Sequence, residues 1–119
     1  MERRRSVLLA DANEEFRTLL RDAMEETGLF AVELACNGHE VLERIHAHEP
    51  ELLVLDPALP GTDGIRVLRQ LRREGCASEI FLISVFVSDH MLAEATELRV
   101  DYFLPKPFAF EALFDRMRG

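Results

Sequence analysis

The chain is poor in positive charge, in cysteine and in long apolar runs. Its 14 lysines and arginines face 22 aspartates and glutamates, for a net charge of -8. A surface of that sign repels the phosphates of nucleic acid instead of neutralising them. Any action on DNA therefore belongs to a part outside this segment. No stretch approaches the ~20 apolar residues of a membrane span. Arg3-Arg4-Arg5 ahead of Val7-Leu8-Leu9-Ala10 faintly imitates a signal peptide, but Asp11 cuts the run below the ~7–15 residues such a core needs. The expectation is a cytoplasmic domain with no membrane span. Cys36 and Cys76 show no CxxC spacing and read as free thiols. His39, His46, His48 and His90 include no HExxH pattern, and surface helix positions account for them without a metal.

What is present is a strict alternation of strand and helix patterns. With 119 residues, 48% of them hydrophobic, the chain suits one domain over 1–119 around one core. Residues 6–10 form a short apolar strand, and Asn13 can cap a helix with Phe16, Leu19, Leu20, Ala23 and Met24 on one stripe, stopped by Gly28. Phe30, Val32, Leu34 and Cys36 alternate with Ala31, Glu33 and Ala35, the period of an edge strand. Asn37-Gly38 turns into a second helix with Val41, Leu42 and Ile45 inward. Leu52-Leu53-Val54-Leu55 reads as a strand buried on both faces.

Asp63 can cap a third helix that buries Ile65, Val67, Leu68 and Leu71. Its Arg66, Arg69, Arg72 and Arg73 invite a phosphate-binding reading, but a solvated helix flank explains them. Residues 80–83 form the fourth strand; Ser88 and Asp89 open a weakly striped helix with Met91, Leu92, Ala95 and Leu98, loosely anchored and therefore a candidate mover. Residues 101–104 form a fifth strand that Pro105 confines to an edge, and Phe110, Leu113, Phe114 and Met117 line a last helix. Five β-α units with two edge strands predict a flavodoxin-like (βα)5 three-layer α/β sandwich with a parallel sheet in the order 2-1-3-4-5. The chain stops about three helical turns past Pro107 and reads as a domain cut from a longer protein, with a linker and an output domain to follow.

Asp56 closes the third strand, and the loop Pro57-Ala58-Leu59-Pro60-Gly61-Thr62-Asp63-Gly64 after it can continue neither a helix nor a ladder. Alone, such an aspartate is equally a turn former. It has company, however. Asp11, Ser84 and Lys106 each follow another apolar run, and the carboxyl ends of parallel strands form the crevice where ligands bind. Four strand ends thus deliver groups able to bind a phosphate or a metal.

Asp11, Asp56, the 56–64 loop, Ser84 and Phe103-Leu104-Pro105-Lys106-Pro107-Phe108 together resemble the receiver domain of two-component response regulators, over the whole chain. The loop and the 102–108 segment look most like receivers of sporulation transcription regulators. The resemblance implies that Asp56 accepts a phosphoryl group from a phosphohistidine on a histidine kinase or phosphotransfer protein. Such a domain assists its own phosphorylation and dephosphorylation and is not an enzyme in the ordinary sense. Lys106 would pair with the phosphoryl oxygens and Ser84 would hydrogen-bond one of them. Asp11, Asp56 and the Ala58 carbonyl would hold Mg2+, and Lys106-Pro107 would be a cis peptide. On phosphorylation Ser84 would move to the phosphate and Phe103 turn inward. The fourth helix, fifth strand and fifth helix would then change their affinity for a homodimer partner or for a C-terminal output domain, transcriptional in kind.

Two departures bear on that expectation. Receivers end the first strand with two adjacent acidic residues; here the pair is Asp11-Ala12, and a methyl cannot bind a hard cation. Two unit charges at ~4 Å interact by ~4 kcal/mol at an effective dielectric near 20, so the loss weakens Mg2+ binding by about one to three powers of ten. Val85 is bulkier than the family prefers beside the acceptor and should slow phosphoryl transfer. A degenerate pseudo-receiver that binds partners without being phosphorylated therefore stays open beside the phosphoacceptor switch. A haloacid-dehalogenase-type phosphatase would need a second aspartate where Ala58 stands, and a flavodoxin would need hydroxyls and glycine where Asp11-Ala12-Asn13-Glu14-Glu15 would repel a phosphate.

Overall fold

A computed structural model describes residues 3–118. The elements run β1 (Arg5–Ala10), α1 (Glu14–Glu26), β2 (Phe30–Ala35), α2 (Gly38–Ala47), β3 (Leu52–Leu55), α3 (Gly64–Arg73), β4 (Glu79–Ser84), α4 (Asp89–Glu97), β5 (Tyr102–Pro105) and α5 (Phe110–Met117). The five strands pair in parallel in the order β2-β1-β3-β4-β5. Both strands read as edges from their composition are edges, and β3, apolar at every position, lies at the centre with all four residues fully buried.

Successive side chains of a strand point to opposite faces, and this sorts the core into two layers. Val7, Leu9, Leu52, Val54, Phe81 and Ile83 pack against Leu20 and Met24 of α1 and Leu113, Phe114 and Met117 of α5. Leu8, Ala10, Leu53, Leu55, Ile80 and Leu82 pack against α2, α3 and α4 through Val41, Ile45, Val67, Leu68, Leu71 and Ala95. Helices on both faces complete the three layers.

The caps fall where the sequence places them. Asn13, Asn37, Asp63 and Ser88 each accept a hydrogen bond from a first-turn backbone N–H of α1, α2, α3 and α4. Gly28 follows α1 at φ +75°, a conformation that costs a residue with a Cβ.

Four expectations are corrected. Leu19 is 58% exposed, outside the α1 stripe, because the sheet touches only the Leu20–Met24 side of that helix. Ala35, read as facing away from the covered side of β2, is buried, because α2 covers the other face at the end of the strand; Cys36 lies beyond it. Leu92 is 40% exposed and Ala95 is the only buried residue within α4. Arg69 and Arg72 are not a wet flank: Arg69 pairs with Glu94 at 2.9 Å, and Arg72 donates to the carbonyls of Leu98, Cys76 and Arg99.

Candidate functional site

The site is built on the carboxyl rim of the sheet by the backbone ladder itself. Asp11 N–H donates to Ala35 O at 3.2 Å and Asp56 N–H to Ala10 O at 3.0 Å, so the residues that end β1 and β3 are held side by side. Both are buried, Asp11 at 2% and Asp56 at 7% exposure. Lys106 arrives just after β5, its N–H donating to Ser84 O, with the Lys106-Pro107 peptide cis. Its Nζ donates to Asp11 Oδ2 at 2.7 Å and to Asp56 Oδ2 at 2.8 Å.

The remaining carboxylate oxygens are also satisfied. Asp11 Oδ1 accepts from Asn13 N–H at 2.9 Å and Asp56 Oδ1 from Ala58 N–H at 2.8 Å. Two carboxylates and one ammonium leave the cluster with one net negative charge. Burial pushes the Lys106 ammonium toward losing its proton, but hydrogen bonds to Asp11 and Asp56 outweigh it and hold the pKa above the usual lysine value. Lys106 is the chain's one lysine.

The loop after Asp56 is anchored through Gly64, which has no room for a side chain. A Cβ there would lie 2.5 Å from Pro57 Cα, and Gly64 N–H donates to Pro57 O at 3.0 Å. Asp63 Oδ1 accepts from Ile65 N–H at 2.9 Å, so the α3 cap holds the far end of the loop.

Asp11, Asp56 and Lys106 are brought together; Ser84 is close in the ladder but turned elsewhere. Its hydroxyl donates to Phe86 O at 2.9 Å and accepts from Phe86 N–H at 3.1 Å, closing a small ring with its own loop. Val85 points out, 64% exposed, with Phe86 at 74% and Val87 at 45%. Phe103 is half-buried against the α2, α3 and α4 layer. The histidines sit on the surface, His46, His90 and His39 beside Glu74, Glu94 and Glu43.

The residues present fit a divalent cation incompletely. Asp11 and Asp56 offer two carboxylates, position 12 contributes a methyl, and no group of three or more His, Cys, Asp or Glu able to hold a metal forms among the described residues. A hard cation asks for about six oxygens, so water would have to supply the rest.

Two contacts were not legible in the sequence. The Lys106 ammonium lies over the Phe16 ring, 4.2 Å from its centroid, and Arg17 Nη1 donates to Asp11 O at 2.6 Å. The only available signal was that a lone lysine had to find its partners somewhere.

A parallel sheet in this order with acidic strand ends is the architecture of the CheY-like proteins. The structure superposes on a CheY-like response regulator receiver domain protein from Methanospirillum hungatei JF-1 with a TM-score of 0.92 at 18% identity, covering 98% of this chain and 92% of that one. It superposes on the Francisella response regulator 1452 receiver domain with a TM-score of 0.89 at 27% identity, covering 96% and 93%. Residues 7–118 match the response regulator receiver domain model, and the chain belongs to that family. It is 38% identical over 113 residues to the response regulator MprA of Mycobacterium ulcerans (strain Agy99), covering 95% of this chain and 48% of that protein. The chain spans about half the length of the curated relatives it matches. No helix among the described residues is long and apolar enough to cross a membrane.

Proposed function

We propose that this receiver is a phosphoacceptor switch, with Asp56 taking a phosphoryl group from a phosphohistidine on a histidine kinase or phosphotransfer protein. The observation that carries the reading is the Lys106 ammonium, held 2.8 Å from Asp56 Oδ2 and 2.7 Å from Asp11 Oδ2 at the open rim of the sheet. An Asp56 oxygen attacks phosphorus, a P–O bond forms as the donor's P–N bond breaks, and the imidazole leaves with the electron pair and takes a proton. Lys106 neutralises charge on the transferring oxygens. Ser84 supplies a hydroxyl donor once it leaves Phe86, and Phe103 turns inward behind it.

Mg2+ supplies further charge neutralisation when bound to Asp11, Asp56 and the Ala58 carbonyl. Ala12, which adds no oxygen, would weaken that binding. The domain regulates and does not turn over a substrate. It acts in the cytoplasm, pairs through α4, β5 and α5, and controls a transcriptional output domain; an acidic receiver leaves DNA binding to that other part.

A second reading has its own support. Ala12 in place of a carboxylate, with the Ser84 hydroxyl engaged by Phe86, favours a degenerate receiver that binds partners without phosphorylation. Incubation with Mg2+ and acetyl phosphate, followed by intact mass measurement, separates the two. The switch gains one phosphoryl mass that Asp56→Ala abolishes. A chain that neither acetyl phosphate nor any phosphohistidine protein labels is the interaction domain.

A further inference from the structure

An ammonium has three N–H donors and no acceptor. Two of those on Lys106 go to Asp11 and Asp56, and among the described residues no third carboxylate reaches it. Residue 12, next to Asp11, is alanine and adds no carboxylate to the cluster. The remaining side of the ammonium meets the face of Phe16, 4.2 Å from the ring centroid, within the range where the negative face of an aromatic ring attracts a cation. Only 13% of the Lys106 side chain is exposed, so little water competes for the contact.

The ring is fixed from several directions. Phe16 N–H donates to the Asn13 cap at 2.8 Å, which sets the first turn of α1. Its ring meets Phe108 edge-on at 6.1 Å and Phe110 at 6.2 Å, and offset or edge-on geometry is the favoured one for aromatic pairs. Phe108 is two residues beyond Lys106, so the aromatic that covers the ammonium also braces the segment that carries it.

We propose that Phe16 is the positioning residue of this site, its ring face taking the side of the Lys106 ammonium that no third carboxylate occupies and holding the ammonium on Asp56. Where labelling of Asp56 is concerned, this rests on the phosphoacceptor reading above; the position of the ammonium does not.

Because Lys106 is the single lysine, protein grown with isotope-labelled lysine gives one side-chain signal to follow by NMR. In the wild-type chain, the ε-protons of Lys106 resonate upfield of free lysine, shifted by the ring beneath them. Phe16→Leu keeps an apolar cover and removes the ring: the signal returns toward the free position, and labelling by acetyl phosphate slows about three- to tenfold, the factor a shielded cation–ring contact corresponds to. Phe16→Tyr restores the ring face, the shift and the rate, which a loss of packing alone would not predict. Circular dichroism melts of both variants check that they are folded. An unshifted wild-type signal overturns the proposal, as does Phe16→Leu that labels at the wild-type rate. If no donor labels the wild-type chain, the phosphoacceptor reading fails by itself, and the lysine signal still decides whether Phe16 holds the ammonium.

Discussion

The Arg72 guanidinium of α3 donates to the carbonyl of Leu98, the residue that caps the C-terminus of α4, at 2.8 Å, and so ties the two helices together. Arg72 also reaches Arg99 O and Cys76 O, and Arg69 pairs with Glu94 one turn away. A helix with one buried residue in its span is thus held in place by arginines. Arg72→Ala is expected to cost about 1–2 kcal/mol in urea unfolding, the worth of charge-assisted hydrogen bonds to partly buried carbonyls. Amide exchange should quicken across 89–99 and stay unchanged in β1 and β3.

Lys106 is the counter-charge for two buried carboxylates, and removing it leaves both unpaired. Lys106→Met should destabilise the fold by about 3 kcal/mol at pH 7, the scale for breaking a buried pair from one side. Adding Asp11→Asn removes one of the stranded charges, so the double variant should be more stable than Lys106→Met alone in denaturant titrations. Since the Lys106 pKa is raised on folding, its contribution is complete below the ordinary lysine pKa and is lost as pH climbs through the folded value. The stability difference between wild type and Lys106→Met should therefore be flat through neutral pH and narrow above about pH 10.5.

The loop that follows the acceptor tolerates no side chain at position 64. Gly64→Ala would drive a Cβ to 2.5 Å from Pro57 Cα and 2.9 Å from Pro57 O, contacts with backbone that no rotamer change relieves. The expected loss is about 2–3 kcal/mol. Amide shifts should move at residues 56–58, which carry Asp56, more than at α1 or α5; equal stability with unmoved shifts would contradict the packing described.

At the start of α2, Glu40 Oε1 accepts from Cys36 N–H at 2.8 Å while Asn37 Oδ1 accepts from Glu40 N–H at 2.8 Å, a reciprocal cap. The backbone bond from Cys36 holds the Glu40 carboxyl below its usual pKa. A lowered carboxyl stabilises above the unfolded pKa and loses that contribution as pH falls through the folded one. Glu40→Ala should cost about 0.5–1 kcal/mol at pH 7, a modest figure because the site is solvent-screened. The gap to wild type should close below about pH 4.5, where Glu40 takes up its proton.

The order of elements, the helix caps and the central place of β3 were legible because each rests on local chemistry: alternation or continuity of apolar residues, an oxygen-bearing side chain before a helix, glycine after one. Asp11, Asp56 and Lys106 were legible as candidates for the same reason, since polar groups closing apolar strands are visible in one dimension. Leu19 and Ala35 were misjudged because periodicity says which residues share a face and not how much of that face a neighbour covers. Arg69 and Arg72 were misjudged because a long side chain finds carbonyls and carboxylates on another helix, 25 to 27 residues away in the chain.

By itself, then, the sequence determined the secondary elements, their parallel stacking and the residue types at the rim, all consequences of backbone hydrogen bonding and of apolar patterning along a few neighbours. Tertiary structure alone decided how those rim groups meet: Lys106 between Asp11 and Asp56, Phe16 against the ammonium, and the Ser84 hydroxyl turned onto Phe86. The direction of a buried charge or hydroxyl is set by competition among all partners within reach, and those partners are neighbours only after the chain has folded.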